Sequence, residues 1–163
     1  MGRSLRRACS ARLRSLGLPS PLTMPGLRAH LEEVRGRPIT LTPLRGLEPG
    51  GPCGLWIATP ATDFILYRDN TSPLHQSHII LHEFSHLIFE HEHGLEGDYL
   101  RLLLPNLGST AVQRILGRSA YAVREEREAE TLASLLAQQI TSTPPDTDDD
   151  RSARDRRLRE LLE

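Results

Sequence analysis

The chain has 163 residues, of which 38 % are hydrophobic and 25 % charged, and its formal net charge is -1. This length suits one compact domain, and no apolar run reaches the roughly 20 residues that a membrane-spanning helix needs. A net charge near zero gives no general reason to expect direct binding of nucleic acid. The two cysteines, Cys9 and Cys53, form no disulfide or thiolate-metal pattern, so we expect a cytoplasmic protein.

Charge divides the chain into three parts. Residues 1–26 are a basic N-terminal arm, because no acidic residue precedes Glu32. The pattern predicts a frayed basic helix from about Arg3 to Leu16, and an organellar transit peptide is the alternative. Residues 27–140 form the expected domain, and residues 141–163 an acidic linker with a highly charged tail.

Within the domain, short helical and β-type runs precede a long helical part. Apolar residues at helical spacing from Leu27 predict a short helix that Gly36 and Pro38 end. Three brief apolar runs, at residues 39–42, 54–58 and 63–67, then predict three strands in a small antiparallel sheet. The expected fold class is therefore α+β.

From Ser72 the chain is predicted to be helical almost to its end. Ser72 can cap a helix that begins at Pro73 and continues to about His91. Three further helices are expected at residues 98–104, 109–116 and 121–140.

The helix predicted to begin at Pro73 carries the sequence His82-Glu83-Phe84-Ser85-His86. His82 and His86 lie one helical turn apart, so both imidazoles can bind one metal ion at about 2.0–2.1 Å, with Glu83 facing the open position. The alternative is a pair of core histidines with ordinary hydrogen-bond partners. Because the helix is apolar over most of its circumference, two buried histidines need polar partners or a metal.

The predicted helix at 121–140 offers the third ligand. Its alanines would allow close approach to the histidine helix, and only Glu125 and Glu126 flank the alanine face. Glu126 is our prediction, with Glu125 as the alternative, and Glu130 could hydrogen-bond a ligand one turn later. Glu128 is expected to lie on a solvated face with Arg124.

Four other histidines surround these positions. His75 and His78 share the helical face of His82, and each either lines a cleft or is an ordinary imidazole near the helix start. His91 and His93 either bind a second metal or form a polar helix end, where the helix dipole favours them.

His82-Glu83-x-x-His86 is followed some forty residues later by a second motif, Glu126-x-x-Ala129-Glu130-x-Leu132-Ala133. Together the two motifs resemble those of the ImmA/IrrE metallopeptidase family, in a likeness that runs from about Leu31 to Gln139. The family pattern is not matched throughout the second motif. Three points differ: Glu130 replaces Asn or Asp, Leu132 replaces Phe, and only Leu135-Leu136 remains of the usual Leu-Leu-Met-Pro ending.

The resemblance implies a zincin-like helical core. It implies zinc held by His82, His86 and Glu126, with Glu83 as the catalytic base. It also implies a bacterial or phage cytoplasmic protein that cleaves a helix-turn-helix repressor.

The sequence therefore predicts a zinc-dependent endopeptidase that acts on a regulatory protein partner. A second electrophile would come from Tyr99, Tyr121 or His93. The rival hypothesis is a regulatory or toxin–antitoxin binding module whose metal site is structural or vestigial, and a fourth protein ligand such as His78 or His93 would favour it. A further rival has the basic arm targeting DNA or an organelle.

Overall fold

In a computed structural model, residues 2–44, 53–91 and 122–141 are described. The elements are α1 (Gly2–Ser15), α2 (Met24–Arg35), β1 (Ile39–Leu44), β2 (Gly54–Ala58), β3 (Asp63–Arg68), α3 (Pro73–Phe89) and α4 (Val123–Thr141). The α+β class is confirmed. The helices predicted at 98–104 and 109–116, and the predicted tail, lie outside the described residues. Among the described helices, none has the length and apolar character that a membrane span requires.

The end of α2 and the start of α3 form where the sequence signals predict them, whereas α2 begins at Met24 and not at Leu27, and α3 ends at Phe89, before His91. The Thr23 hydroxyl caps α2 by accepting the backbone N–H of Gly26 at 3.1 Å, and Gly36 ends the helix at φ 66°, where glycine is favoured. The Ser72 hydroxyl caps α3 by accepting the N–H of His75 at 3.2 Å. The histidine helix therefore has the predicted start.

The sheet is mixed, so the prediction of an antiparallel sheet was wrong. The strand order is β1-β3-β2, with β3 in the centre. β2 pairs antiparallel with β3, and Gly54 lies opposite Tyr67. β1 pairs parallel with β3, and Ile39 lies opposite Asp63.

A buried carboxylate explains the parallel pairing. Asp63, at the start of β3, is fully buried and binds Arg35 and Arg37, the two arginines that precede β1. The indole Nε1 of Trp56 donates to the same carboxylate at 3.0 Å. Burial alone would raise the pKa of Asp63, but the hydrogen bonds from Arg37, Arg35 and Trp56 outweigh it and hold the pKa below its usual value. Asp63 lies at the start of β3, and its carboxylate binds the two arginines just before β1. The two strands therefore start at the same end of the sheet.

One hydrophobic core joins the sheet to the helices. α3 contacts β2, β3 and α4, and α1 contacts α4. The core includes Cys9, Leu13, Leu27, Leu31, Ile39, Trp56, Ile65, Phe84, Leu87, Leu132 and Leu136. The basic N-terminal segment thus packs as a helix: the Arg12 guanidinium donates to the carbonyl oxygen of Ile88, near the end of α3, at 2.7 Å.

We predict that Asp63→Asn destabilises the fold strongly. The substitution leaves Arg35 and Arg37 without their buried carboxylate, so the free energy of unfolding should fall by about 3 kcal/mol in urea titrations. The matched control is Arg28→Ala, which removes a partly exposed pair with Glu32 and should cost less than about 0.5 kcal/mol. Equal losses in the two variants would contradict a central role for Asp63.

Candidate metal centre

Two histidines of α3 present their ring nitrogens to one point. His82 and His86 lie one turn apart, and their Nε2 atoms are 3.1 Å from each other. His86 is fully buried, whereas the side chain of His82 is 20 % exposed. The pair therefore has one ligand fixed in the core and one at the surface of a cleft.

Helix α4 places a carboxylate beside both rings. Glu126 Oε2 lies 3.3 Å from His82 Nε2, and Glu126 Oε1 lies 3.6 Å from His86 Nε2. Ala129 and Ala133, both fully buried, leave room for this approach. The group of His82, His86 and Glu126 could hold a metal ion.

Glu125, the alternative ligand, has a different role. Its Oε2 accepts the backbone N–H of Ala122 at 2.9 Å, three residues before it. This is the return bond of a helix N-terminal capping box. The carboxylate that the sequence left as a second choice is therefore used to start α4.

The three side chains lie close enough to share one small ion. Ligand atoms at 2.0–2.1 Å from a tetrahedral centre are roughly 3.3–3.4 Å from one another. The two imidazole Nε2 atoms are 3.1 Å apart, and one ligand atom from each of the three side chains lies within 4.8 Å of the other two. Two imidazole nitrogens and one carboxylate oxygen also form a donor set that transition-metal ions accept.

Glu83 lies next to this group with an unusual electrostatic environment. It is 4 % exposed, and among the described residues its Oε2 atom has no hydrogen-bond partner. Burial raises the pKa of Glu83 to about 8, and the negative charge of Glu126 adds to the rise, while the backbone N–H of Trp56 opposes it. A buried carboxyl with a free oxygen beside a potential cation site is suited to accept and return a proton.

Gly54 of β2 makes room for this carboxyl group. A Cβ atom at position 54 would lie 2.7 Å from Glu83 Oε1 and 2.7 Å from Ile79 Cγ2, which is too close. The edge strand can therefore approach α3 only because residue 54 has no side chain. No local sequence pattern indicates this contact.

A cleft of about 340 Å³ gives access to the group. Its walls are Cys53, Gly54, Leu55, His75, His78, Ile79, His82, Glu83, Glu126 and Glu130. Glu130 Oε2 lies 3.4 Å from His82 Nδ1 and accepts from His78 Nε2 at 3.3 Å. Glu130 therefore supports the outer histidine, as its place one turn after Glu126 suggested.

His75 lines the cleft at the exposed start of α3, as one of the two sequence interpretations expected, and forms a hydrogen bond with Thr71 Oγ1 at 2.8 Å. Tyr99, Tyr121 and His93 lie outside the described residues.

The sequence predicted His91 as a second-metal ligand or a polar helix end, and did not predict the contacts that His91 and Glu128 make near the centre. His91 lies 2.8 Å from His86, between the two Nδ1 atoms. Glu128, expected on a solvated face, is only 17 % exposed and lies 3.2 Å from His91. Its predicted pairing with Arg124 is present at 2.9 Å.

Comparison of the chain with known family models, with curated proteins and with solved structures finds no match. What the chain does is therefore inferred from the geometry of its site and from its sequence motifs.

We predict that the metal-free chain loses stability as the pH rises from about 4.5 to about 8. Unfolded Glu83 releases its proton near its ordinary pKa of 4.5, whereas the folded chain keeps it to about 8. Since the folded state binds more protons in this window, stability falls by about 1.4 kcal/mol per pH unit from this group.

Urea unfolding of the metal-free parent and of Glu83→Gln, at half-unit steps from pH 5.5 to 7.5, checks the slope. The difference between the two curves reports the titration of Glu83 together with its electrostatic coupling to Glu126. Glu125→Gln, the same chemical change at the α4 cap, should run parallel to the parent. Parallel curves for the parent and Glu83→Gln would contradict the prediction.

Proposed function

We propose that the protein is a zinc-dependent endopeptidase. The observation that carries the proposal is the juxtaposition of two units. His82, His86 and Glu126 have ligand atoms within 4.8 Å of one another, and beside them lies the buried Glu83 carboxyl with an oxygen left unbonded by the described residues. Metal-dependent hydrolysis needs these two parts, a site with an open position and an adjacent proton acceptor.

Zinc is the metal that we propose for this site. Two imidazoles and one carboxylate are a common catalytic set for zinc, which leaves the fourth position for water or substrate. When bound, zinc supplies Lewis acidity, which lowers the pKa of a water molecule and polarises a carbonyl group. Harder cations such as magnesium prefer oxygen ligands only.

Glu83 is the proton carrier in this proposal. Its Oε2 accepts a proton from the attacking water and then donates it to the nitrogen of the departing amine. Burial makes the carboxylate a stronger base than an exposed one, and a nearby cation would lower the pKa of Glu83 from about 8 towards the neutral range. Glu83 could then both accept and return a proton at physiological pH.

The sheet edge supports a peptide as the substrate. In the described part of the sheet, β2 is an edge strand, and Gly54 and Leu55 line the cleft beside Glu83. An extended chain can add to such an edge through main-chain hydrogen bonds. We propose a regulatory protein substrate, a helix-turn-helix repressor in the cytoplasm, because the motifs resemble the ImmA/IrrE family.

A closed, structural metal site is the competing hypothesis and needs a fourth protein ligand. Within residues 2–44, 53–91 and 122–141, the ligand group has three members. His78, one candidate for the fourth ligand, bonds Glu130. The geometry of the described residues therefore favours an open site over a binding module.

We predict that the purified parent binds about one zinc per chain and that Glu126→Gln loses most of it. Removing the carboxylate takes away one of three protein ligands, so the zinc dissociation constant should rise at least 100-fold, about 2.7 kcal/mol or more. Elemental analysis and chelator competition measure this.

Glu125→Gln, the matched control, should keep its zinc because Glu125 caps α4. A reversed pattern, with zinc lost only in Glu125→Gln, would move the ligand by one residue.

We predict that Glu83→Gln abolishes peptide cleavage and leaves zinc binding intact. The amide keeps the shape of the side chain but accepts no proton, so the rate should fall at least 100-fold. Zinc-loaded parent and variant are incubated with a peptide library prepared from a bacterial proteome, and mass spectrometry counts the new peptide ends.

New ends in the parent sample, absent from the variant and from a chelator-treated parent, are the expected result. Equal peptide profiles for fully zinc-loaded parent and Glu83→Gln would contradict the peptidase function and favour the binding module.

A further inference from the structure

The end of α3 turns back on itself and brings His91 against His86. Glu90 adopts the left-handed conformation at φ 54° and ψ 41°. The backbone N–H of Glu90 donates to the Leu87 carbonyl oxygen at 3.2 Å, and that of His91 donates to the His86 carbonyl oxygen at 3.0 Å. This is the Schellman pattern of helix ends, in which the residue after the left-handed one meets the residue five positions earlier. That contact is usually apolar, but here it joins two imidazoles.

The two rings form a buried hydrogen-bonded pair. The Nδ1 atoms of His86 and His91 lie 2.8 Å apart, and the two residues are 0 % and 6 % exposed. The ring of Phe89 stacks on His91, with ring centroids 5.3 Å apart and an interplanar angle of 11°. His91 is thus held by packing on one face and by a hydrogen bond at its edge.

A carboxylate of α4 completes the chain of contacts. His91 Nε2 lies 3.2 Å from Glu128 Oε2, and the Arg124 guanidinium donates to Glu128 Oε1 at 2.9 Å. The Cys9 thiol of α1 donates to the backbone carbonyl of Glu128 at 3.7 Å. Glu128 is therefore fixed through both carboxylate oxygens and through its main chain.

Hydrogen-bond chemistry assigns a direction to every link. The carboxylate of Glu128 only accepts, so His91 Nε2 carries the proton and donates to it. In a neutral imidazole the other nitrogen then accepts, so His86 Nδ1 donates to His91 Nδ1. This leaves a lone pair on His86 Nε2, the atom that faces His82 and Glu126. A metal ligand needs that lone pair.

We propose that His91 and Glu128 are positioning residues of the metal centre, which hold His86 as the Nδ1–H tautomer with its Nε2 lone pair directed at the ion. We name the three residues the His86–His91–Glu128 relay. The proposal rests on the metal-binding half of the proposed function and is independent of peptide cleavage. Hydrogen bonds of this kind fix the orientation of ligand imidazoles and raise their affinity for the metal.

The first test measures zinc affinity by competition with a chromophoric chelator. His91→Phe keeps an aromatic ring that can stack on Phe89 but removes both nitrogens, so the zinc dissociation constant should rise about 10- to 100-fold. His91→Gln keeps an acceptor and a donor and should recover part of this loss.

Glu128→Ala should also weaken zinc binding, and His91→Phe/Glu128→Ala should bind no more weakly than His91→Phe alone, because both changes break one relay. The matched control is His30→Phe, which removes a partly buried imidazole bonded to the Leu16 carbonyl oxygen at 2.7 Å. It should bind zinc as the parent does.

The second test reads the tautomer directly, which a purely structural role would not affect. Nitrogen-15 imidazole spectra of the zinc-free full chain should show His86 protonated at Nδ1, although free histidine favours Nε2–H. In His91→Phe, with folding checked by thermal unfolding, this preference should disappear.

A parent with His86 protonated at Nε2, or His91→Phe with parental zinc affinity, would overturn the relay while zinc binding itself stands. A parent that binds no zinc would overturn the metal centre and the relay together. Zinc binding without peptide cleavage would leave the relay supported and remove only the peptidase function.

Discussion

The close packing of α4 against α3 is the contact on which the candidate site depends. The two helices meet through a buried face of α4 that includes Ala129 and Ala133, both without solvent exposure. Small residues at a helix interface allow backbones to approach, and larger neighbours such as Leu132 and Leu136 fill the space on either side. A larger side chain at either alanine would push α4 outward and carry Glu126 away from the histidines.

Because of this packing, three glutamates of α4 contact histidines that lie in α3 or directly after its end. Glu126 faces His82 and His86 directly. Glu130, one turn later, lies against the outer ligand, His82. Glu128 reaches the inner ligand, His86, through His91. Each candidate histidine ligand therefore contacts a supporting carboxylate, His82 directly and His86 through His91. Both carboxylates belong to α4.

The side chains that meet at the candidate site could be predicted from sequence because their spacing follows the helical period. The spacing of His82 and His86 places both on one face whatever surrounds them, and the alanines of α4 distinguish Glu126 from the other glutamates. The strands could be located for a similar reason, since short apolar runs between glycines and prolines favour extended chain. Local sequence patterns are therefore enough to predict the two histidines, Glu126 and the positions of the strands.

What the sequence did not reveal depends on contacts between distant residues. The parallel pairing of β1 and β3 follows from Asp63 binding two arginines more than 25 positions away, and no local pattern specifies such a contact. The contact of His91 with His86 was not predicted because the left-handed residue that reverses the chain before His91 is Glu90. Glycine at that position would have indicated a turned-back helix end, whereas glutamate indicates nothing.

Because the candidate ligands are far apart in the sequence, a bound metal ion would also stabilise the fold. His86 and Glu126 are about 40 residues apart in the sequence, so an ion bound by both closes a long loop, as a disulfide would. A ligand that binds only the folded state stabilises it by mass action, by about 4 kcal/mol when its free concentration is 1,000 times the dissociation constant. The same ion would also offset the repulsion between Glu83 and Glu126, which burial makes costly. In the proposed zinc enzyme, loss of the metal would therefore loosen the contact between α3 and α4 as well as stop catalysis, so cellular zinc supply would influence how long the folded chain persists.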